Sequence, residues 1–137
     1  MNQANEPKHQ TDFQKVWFYP DYQLLHFEWY NTNLLRDETY KQEMLWQLEQ
    51  IMHYQPERIL FDSRNFTYTI APEIQDWTSR EITTKRTANI KKTAIAVSKD
   101  LFSQLSIEQL IEEIPKEVVQ DLRYFDNIEQ ALNWLKE

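Results

Sequence analysis

Two periods of apolar and polar positions run along this chain, and the changes from one to the other mark its elements. From Gln23 to Tyr30, Leu25, Phe27 and Trp29 share one face while His26, Glu28 and Tyr30 share the other. Period two with one apolar face is a half-buried strand. Gln14 to Tyr19, just before it, is rich in aromatic and β-branched residues, and Pro20-Asp21 between the two runs punctuates a turn. The pair predicts an antiparallel hairpin. Asp37 is placed to cap a helix running to about Tyr54, with Tyr40, Met44, Leu48 and Ile51 at helical spacing. Trp46 lies off that stripe and points roughly the opposite way.

Arg58 to Asp62 is a short, nearly continuous apolar run closed by an acid, which is how a strand buried on both faces reads. Pro72 suits the first turn of a second helix carrying Ile74, Trp77 and Ile82. Thr93 to Ser98 is a further buried strand. Ser106-Ile107-Glu108-Gln109 matches a capping box, and Ile107, Leu110, Ile111 and Ile114 follow as an apolar stripe. Leu122 to Phe125 predicts a fifth strand, and Asp126 a cap for a last helix bearing Ile128, Ala131, Leu132 and Leu135. The order is β-β-α-β-α-β-α-β-α. Strands separated by helices become parallel neighbours, and the hairpin adds an antiparallel one. The expectation is a single α/β domain over residues 13–137, with a mixed five-stranded sheet and four helices. Residues 1–12 are expected to be a disordered lead-in.

Composition narrows the chemistry. The 137 residues contain no glycine, where ordinary usage of about 7% would give roughly ten. Phosphate-cradling loops, dinucleotide-binding turns, nucleophile elbows and calcium loops all need glycine at fixed positions. There is no cysteine, so disulfides, thiolate metal sites and cysteine nucleophiles are excluded. His9, His26 and His53 have no ligand spacing, so neither a metal nor a cofactor is expected. The net charge of −7 disfavours nucleic acid. Arg80, Lys85, Arg86, Lys91 and Lys92 form a basic stretch, and the chain from Glu108 onward is mostly acidic. These read as solvated faces or as complementary surfaces for self-association or a charged partner. No apolar run is long enough to cross a membrane, and the polar start is unlike a signal peptide. A cytoplasmic protein is expected.

The strings I-L-F-D at 59–62, K-K-T-A-I-A-V-S at 91–98 and F-D-N-I-E-Q-A-L-N-W-L at 125–135, in this order and spacing, resemble the STAS domain family. That family includes bacterial anti-sigma-factor antagonists, and the closing string is similar to SpoIIAA-like proteins of the STAS/SEC14 type. The resemblance covers residues 14 to 137. It implies a non-enzymatic module for protein interaction or regulation. In the regulatory branch an Asp-Ser pair, its serine phosphorylated, follows a strand ending in Asp. Here Asp62 matches the strand-end Asp, but the pair falls on Ile70 and Ala71. Neither accepts phosphate, and the glycines that follow the family's serine are missing too. A shift of one or two positions would bring in Thr69 or Thr67.

Two sets of candidate residues emerge. The loop after Asp62, with Ser63, Arg64, Phe66, Tyr68 and Thr69, corresponds to the family's partner-docking region, and Trp46 is a candidate for the same surface. The bland alternative is that Phe66, Tyr68 and Ile70 pack the loop down as a strand-like extension. In an open α/β sheet, ligands bind outside the carboxyl ends of the parallel strands. Asp62, Ser63, Arg64, Ser98 and Lys99 would line one such crevice, or else simply satisfy backbone groups. A protein partner or a homodimer is the leading expectation. A small apolar ligand or lipid, as in the SEC14-type branch, is the alternative. No nucleophile–base pair supports an enzyme.

Overall fold

The computed structural model describes residues 6–86, 88–118 and 121–137. Its six-stranded sheet runs in chain order: β1 (His9–Gln10), β2 (Gln14–Tyr19), β3 (Leu24–Trp29), β4 (Arg58–Asp62), β5 (Lys92–Ala96) and β6 (Leu122–Phe125). The first two pairings are antiparallel and the last three parallel. Four helices fill the connections: α1 (Asp37–Tyr54), α2 (Pro72–Glu81), α3 (Leu101–Glu112) and α4 (Ile128–Lys136). The expected element order is present, with one strand more than the five anticipated. That strand is β1, which lies inside the supposed lead-in. Residues 1–5 of the lead-in fall outside the described residues.

β1 forms because Thr11 makes a turn without glycine. Its hydroxyl accepts the N–H groups of Phe13 and Gln14, each at 3.0 Å. This folds His9 back against Val16 and Gln10 against Lys15. An edge strand this short and polar has no periodic apolar signal to read.

Residue alternation sorts the sheet into two faces. Val16, Phe27, Phe61 and Ile95 lie in one row across β2 to β5, facing α1, α2 and α3. Leu24, Leu60 and Ala94 face the other way and are covered by Ala131, Leu132, Trp134 and Leu135 of α4. Alanine at 94 and 131 lets helix and strand approach closely, and both residues are fully buried. β4 and β5 are thus buried on both sides, as their unbroken apolar runs require.

Four local expectations are corrected. Asp37 is the first helical residue of α1 and not its cap. Arg36 holds the cap position, and its N–H donates to Thr39 Oγ1 at 2.8 Å. Asp126 likewise yields to Asn127, whose side chain accepts from Gln130 N–H at 3.0 Å. The capping box at Ser106 is not one. The cap of α3 lies six residues earlier, where the Asp100 side chain accepts from Phe102 and Ser103. Ser106 sits in mid-helix, buried, donating to the Ser103 carbonyl at 2.8 Å and accepting from Ile70 N–H at 3.0 Å. A serine that finds a long-range partner can occupy a helix interior, and its motif then says nothing about the helix start. Finally, Trp46 does not point away from the sheet. It lies on the flank of α1, half-buried, with its ring edge-on to Phe27 at 6.3 Å. Its long side chain reaches round the helix to the β2–β3 hairpin.

Turns must be built without glycine, and among the described residues Gln23, Asn31 and Gln55 take the left-handed conformation. A side chain there costs roughly 1–2 kcal/mol against glycine. Gln55, exposed, ends α1 by donating its N–H to the Ile51 carbonyl at 2.9 Å. Gln55→Gly is therefore expected to stabilise the domain by about 0.5–1 kcal/mol, after allowing for glycine's greater freedom when unfolded. Urea denaturation of the two proteins measures this.

Candidate functional site

The candidate residues of the 62–71 segment are largely tied down by internal partners. Asp62 is buried and holds Arg64 in a two-point ion pair, Nε to Oδ1 at 2.9 Å and Nη2 to Oδ2 at 2.8 Å. Phe66 is buried and packs edge-on against Trp29 at 5.0 Å. Tyr68 stacks on Tyr40 at 4.9 Å, and its hydroxyl donates to Asp37 at 2.5 Å. Ile70 is buried, while Thr67 and Thr69 face solvent. Ser98 is buried, donating to the Phe66 carbonyl at 2.5 Å and accepting from Asp100 N–H. Lys99 is exposed, and its N–H reaches the Arg64 carbonyl at 3.3 Å.

Asp62 belongs to the α4 side of the sheet, in the cross-strand row that also holds Lys15 and Glu28. Two residues before Glu28 on the same face of β3, His26 is almost fully buried and lies against Trp17, ring centres 5.1 Å apart. Burial pushes the His26 imidazole from 6.5 down to about 4; Asp62 pulls it up, and Arg64 adds to the lowering. The same burial, helped by Asp62, raises Glu28 above the usual carboxylate range, against Lys15 and Arg64.

On the opposite face, between the sheet and α1, α2 and α3, lies a cavity of about 90 Å³. Trp29, Met44, Phe66, Ile95, Ile107 and Leu110 give it apolar walls. Ser63 reaches it from the end of β4, and so is the one member of the expected crevice set on its wall; Asp62, Ser98 and Lys99 are not. The polar residues Gln47, Thr78, Thr83, Thr93 and Tyr40 also line it, as does the cationic Arg86. Tyr40 donates to Thr78 Oγ1 at 2.9 Å, because the Thr78 proton goes to the Ile74 carbonyl at 2.8 Å. Burial holds the Tyr40 phenol well above its usual range.

Arg86 was read only as part of a basic stretch. The rest of that stretch is accounted for. Arg80 pairs with Asp76, Lys85 with Glu81 and Lys91 with Glu57, while Lys92 Nζ reaches the Trp134 carbonyl at 3.0 Å. Arg86 instead turns inward over the Phe61 ring, 5.7 Å from its centre. Only the buried Ile82 and Thr83 just before it hint that the chain dives inward here.

A family model described as SpoIIAA-like matches residues 24–136, most of the chain. The chain belongs to the SpoIIAA-like family. SpoIIAA-like domains are regulatory and interaction modules of the STAS type, generally without catalytic activity. No curated protein and no solved structure matches the chain. In this SpoIIAA-like domain no cluster of His, Asp or Glu suited to a metal ion occurs among the described residues, and no helix among them is long and apolar enough to cross a membrane.

The buried imidazole gives the domain an acid sensitivity. His26 protonates near 6.5 when unfolded and near 4 when folded, so the unfolded state binds more protons between those values. Stability falls as pH drops through that window, by roughly 2–3 kcal/mol at pH 4.5 from this group. Urea denaturation at pH 7 and pH 4.5 is expected to show that His26→Leu loses about this much less than the wild type.

Proposed function

We propose that this SpoIIAA-like domain is a non-enzymatic binding module whose site is the cavity between sheet and helices, and whose ligand is a small apolar molecule. The observation that carries this reading is the cavity itself. Well-packed interiors keep few voids larger than a water molecule. A cavity walled by Trp29, Phe66, Ile95 and Ile107 forfeits dispersion contacts that an apolar guest would restore. Its walls come from α1, α2, α3 and four strands, so occupancy would bear on how the helices sit on the sheet. That is a route from ligand to surface, as a regulatory module requires.

A ligand that binds only the folded state stabilises it, by about 2.7 kcal/mol at a hundredfold excess over Kd. We expect 1-butanol or 3-methylbutan-1-ol at millimolar concentration to raise the melting temperature. Ile107→Phe, which fills the space, should abolish that rise. A melting temperature that 3-methylbutan-1-ol leaves unmoved would count against the cavity as a site.

A second reading, docking to a protein partner or to another copy as a homodimer, is favoured by one feature. Leu101, Phe102 and Leu105 at the start of α3 are all more than half exposed. Single exposed apolar residues are ordinary, but three on neighbouring positions of one helix are less so. The expected docking loop supports it less, since Phe66 and Ile70 point into the core. Under this reading Phe102→Asp lowers the sedimentation coefficient or removes a co-purifying protein. Unchanged behaviour in both assays rejects it. The exposed Thr67 and Thr69 are not in the family's phosphoacceptor position, and no phosphorylation switch is proposed.

A further inference from the structure

The cavity carries an uncompensated charge. Among the described residues no carboxylate pairs with Arg86. Part of the residue reaches solvent, but Nε is out of it and has no hydrogen-bond partner. The guanidinium has the face of Phe61 on one side, and a ring quadrupole is a weak substitute for an anion. Burial lowers its pKa to about 10, which still leaves it charged at neutral pH. A cation partly withdrawn from water with its Nε donor idle is costly to keep, and it favours a partner that brings negative charge and acceptor oxygens.

The rest of the cavity limits what that partner is. The Tyr40 proton is committed to Thr78, and the Thr78 proton to Ile74. Among the described residues no second cation lines the cavity. A phosphate monoester would bring more negative charge than one guanidinium neutralises, leaving the excess buried. A carboxylate brings one charge, and its two oxygens match the fork of N–H donors on arginine. The walls beyond Arg86 are apolar and take a hydrocarbon body. Scaled from the ~150 Å³ cavity that accepts the six carbons of benzene, 90 Å³ has room for about four carbons without displacing a helix.

We propose that the cavity binds a short apolar carboxylic acid, its carboxylate on the Arg86 guanidinium and its hydrocarbon body between Trp29, Phe66, Ile95 and Ile107. This rests on the reading of the cavity as a ligand site and names the chemical class of the ligand. Arg86 is the residue that sets specificity for acid over alcohol, amide or hydrocarbon.

Titration of the isotope-labelled full chain, followed by amide chemical shifts, tests the assignment at pH 7 with butanoate, 3-methylbutanoate and octanoate, and with 3-methylbutan-1-ol for comparison. In the wild type 3-methylbutanoate is expected to bind at least tenfold more tightly than its alcohol, shifting amides of residues that line the cavity. Octanoate, too long for the space, should bind no better. Arg86→Met should weaken acid binding at least tenfold and leave the alcohol unchanged. It should also raise the melting temperature, because an unpaired cation leaves apolar surroundings. Arg86→Lys keeps the charge but loses the fork, so it should bind the acid with intermediate affinity. Equal wild-type affinity for acid and alcohol, or undiminished acid binding by Arg86→Met, would overturn the carboxylate assignment and leave the cavity reading standing. No cavity shifts with either class of probe would overturn both.

Discussion

Everything in this domain is arranged around the burial of β4 and β5 on both faces. Leu60 and Ala94 look toward α4, while Phe61 and Ile95 look toward the other three helices. Neither face tolerates water at its centre, where Leu60 and Ala94 on one side and Phe61 and Ile95 on the other are apolar. At about 25 cal/mol per Å² of apolar surface, exposing either face would remove several kcal/mol, comparable to the whole net stability of a small domain. The parallel strands therefore need cover on both sides. The helix after β6 supplies the second side, and the small residues at 94 and 131 let it lie close.

The antiparallel end of the sheet is fastened differently. Gln14, fully buried, donates its amide to the Glu43 backbone and side chain at 3.1 Å each, and accepts from Gln47 at 2.9 Å. Thr11 adds a hydrogen bond to Glu43 at 2.5 Å, and the Tyr30 hydroxyl donates to the Thr11 carbonyl. This network joins the first hairpin to α1 and satisfies polar groups that would otherwise be stranded. It also explains why the stripe on α1 was only partly legible. Tyr40, Met44 and Ile51 obey the apolar rule, but Glu43 and Gln47 are buried beside them as hydrogen-bond partners. A pattern built on hydrophobicity assigns such residues to the solvent.

The absence of glycine shaped the turns and excluded function classes, but it placed no site. Turn positions that glycine commonly fills are taken by Gln23, Asn31 and Gln55 with positive φ. The strand ends at Asp62 and Ser98 were reasonable candidates for a crevice, and the structure engages both internally. Asp62 holds Arg64, and Ser98 bonds Phe66 and Asp100. What lies open is on the other face of the sheet and is walled by residues from Trp29 to Leu122.

The strands β2 to β6 and the four helices were readable along the chain, because periodicity, proline and buried apolar runs act over a few residues. The family was readable for the same reason, through short strings in a fixed order. The caps of α1, α3 and α4 lie one to six residues from where the local motifs put them. Capping motifs are short, and Ser106 satisfied one by composition while bonding to Ile70, 36 positions away. Arg86 shows the limit most plainly. Within its basic stretch it looks like its neighbours. Only when Phe61 and Tyr40 arrive from other elements does one of five similar cations end up inside a cavity. Local sequence thus determined which segments become strand or helix and which face of each is apolar. Tertiary packing alone decided which polar side chains are buried and what they meet there, because burial and charge compensation depend on residues far apart in the chain.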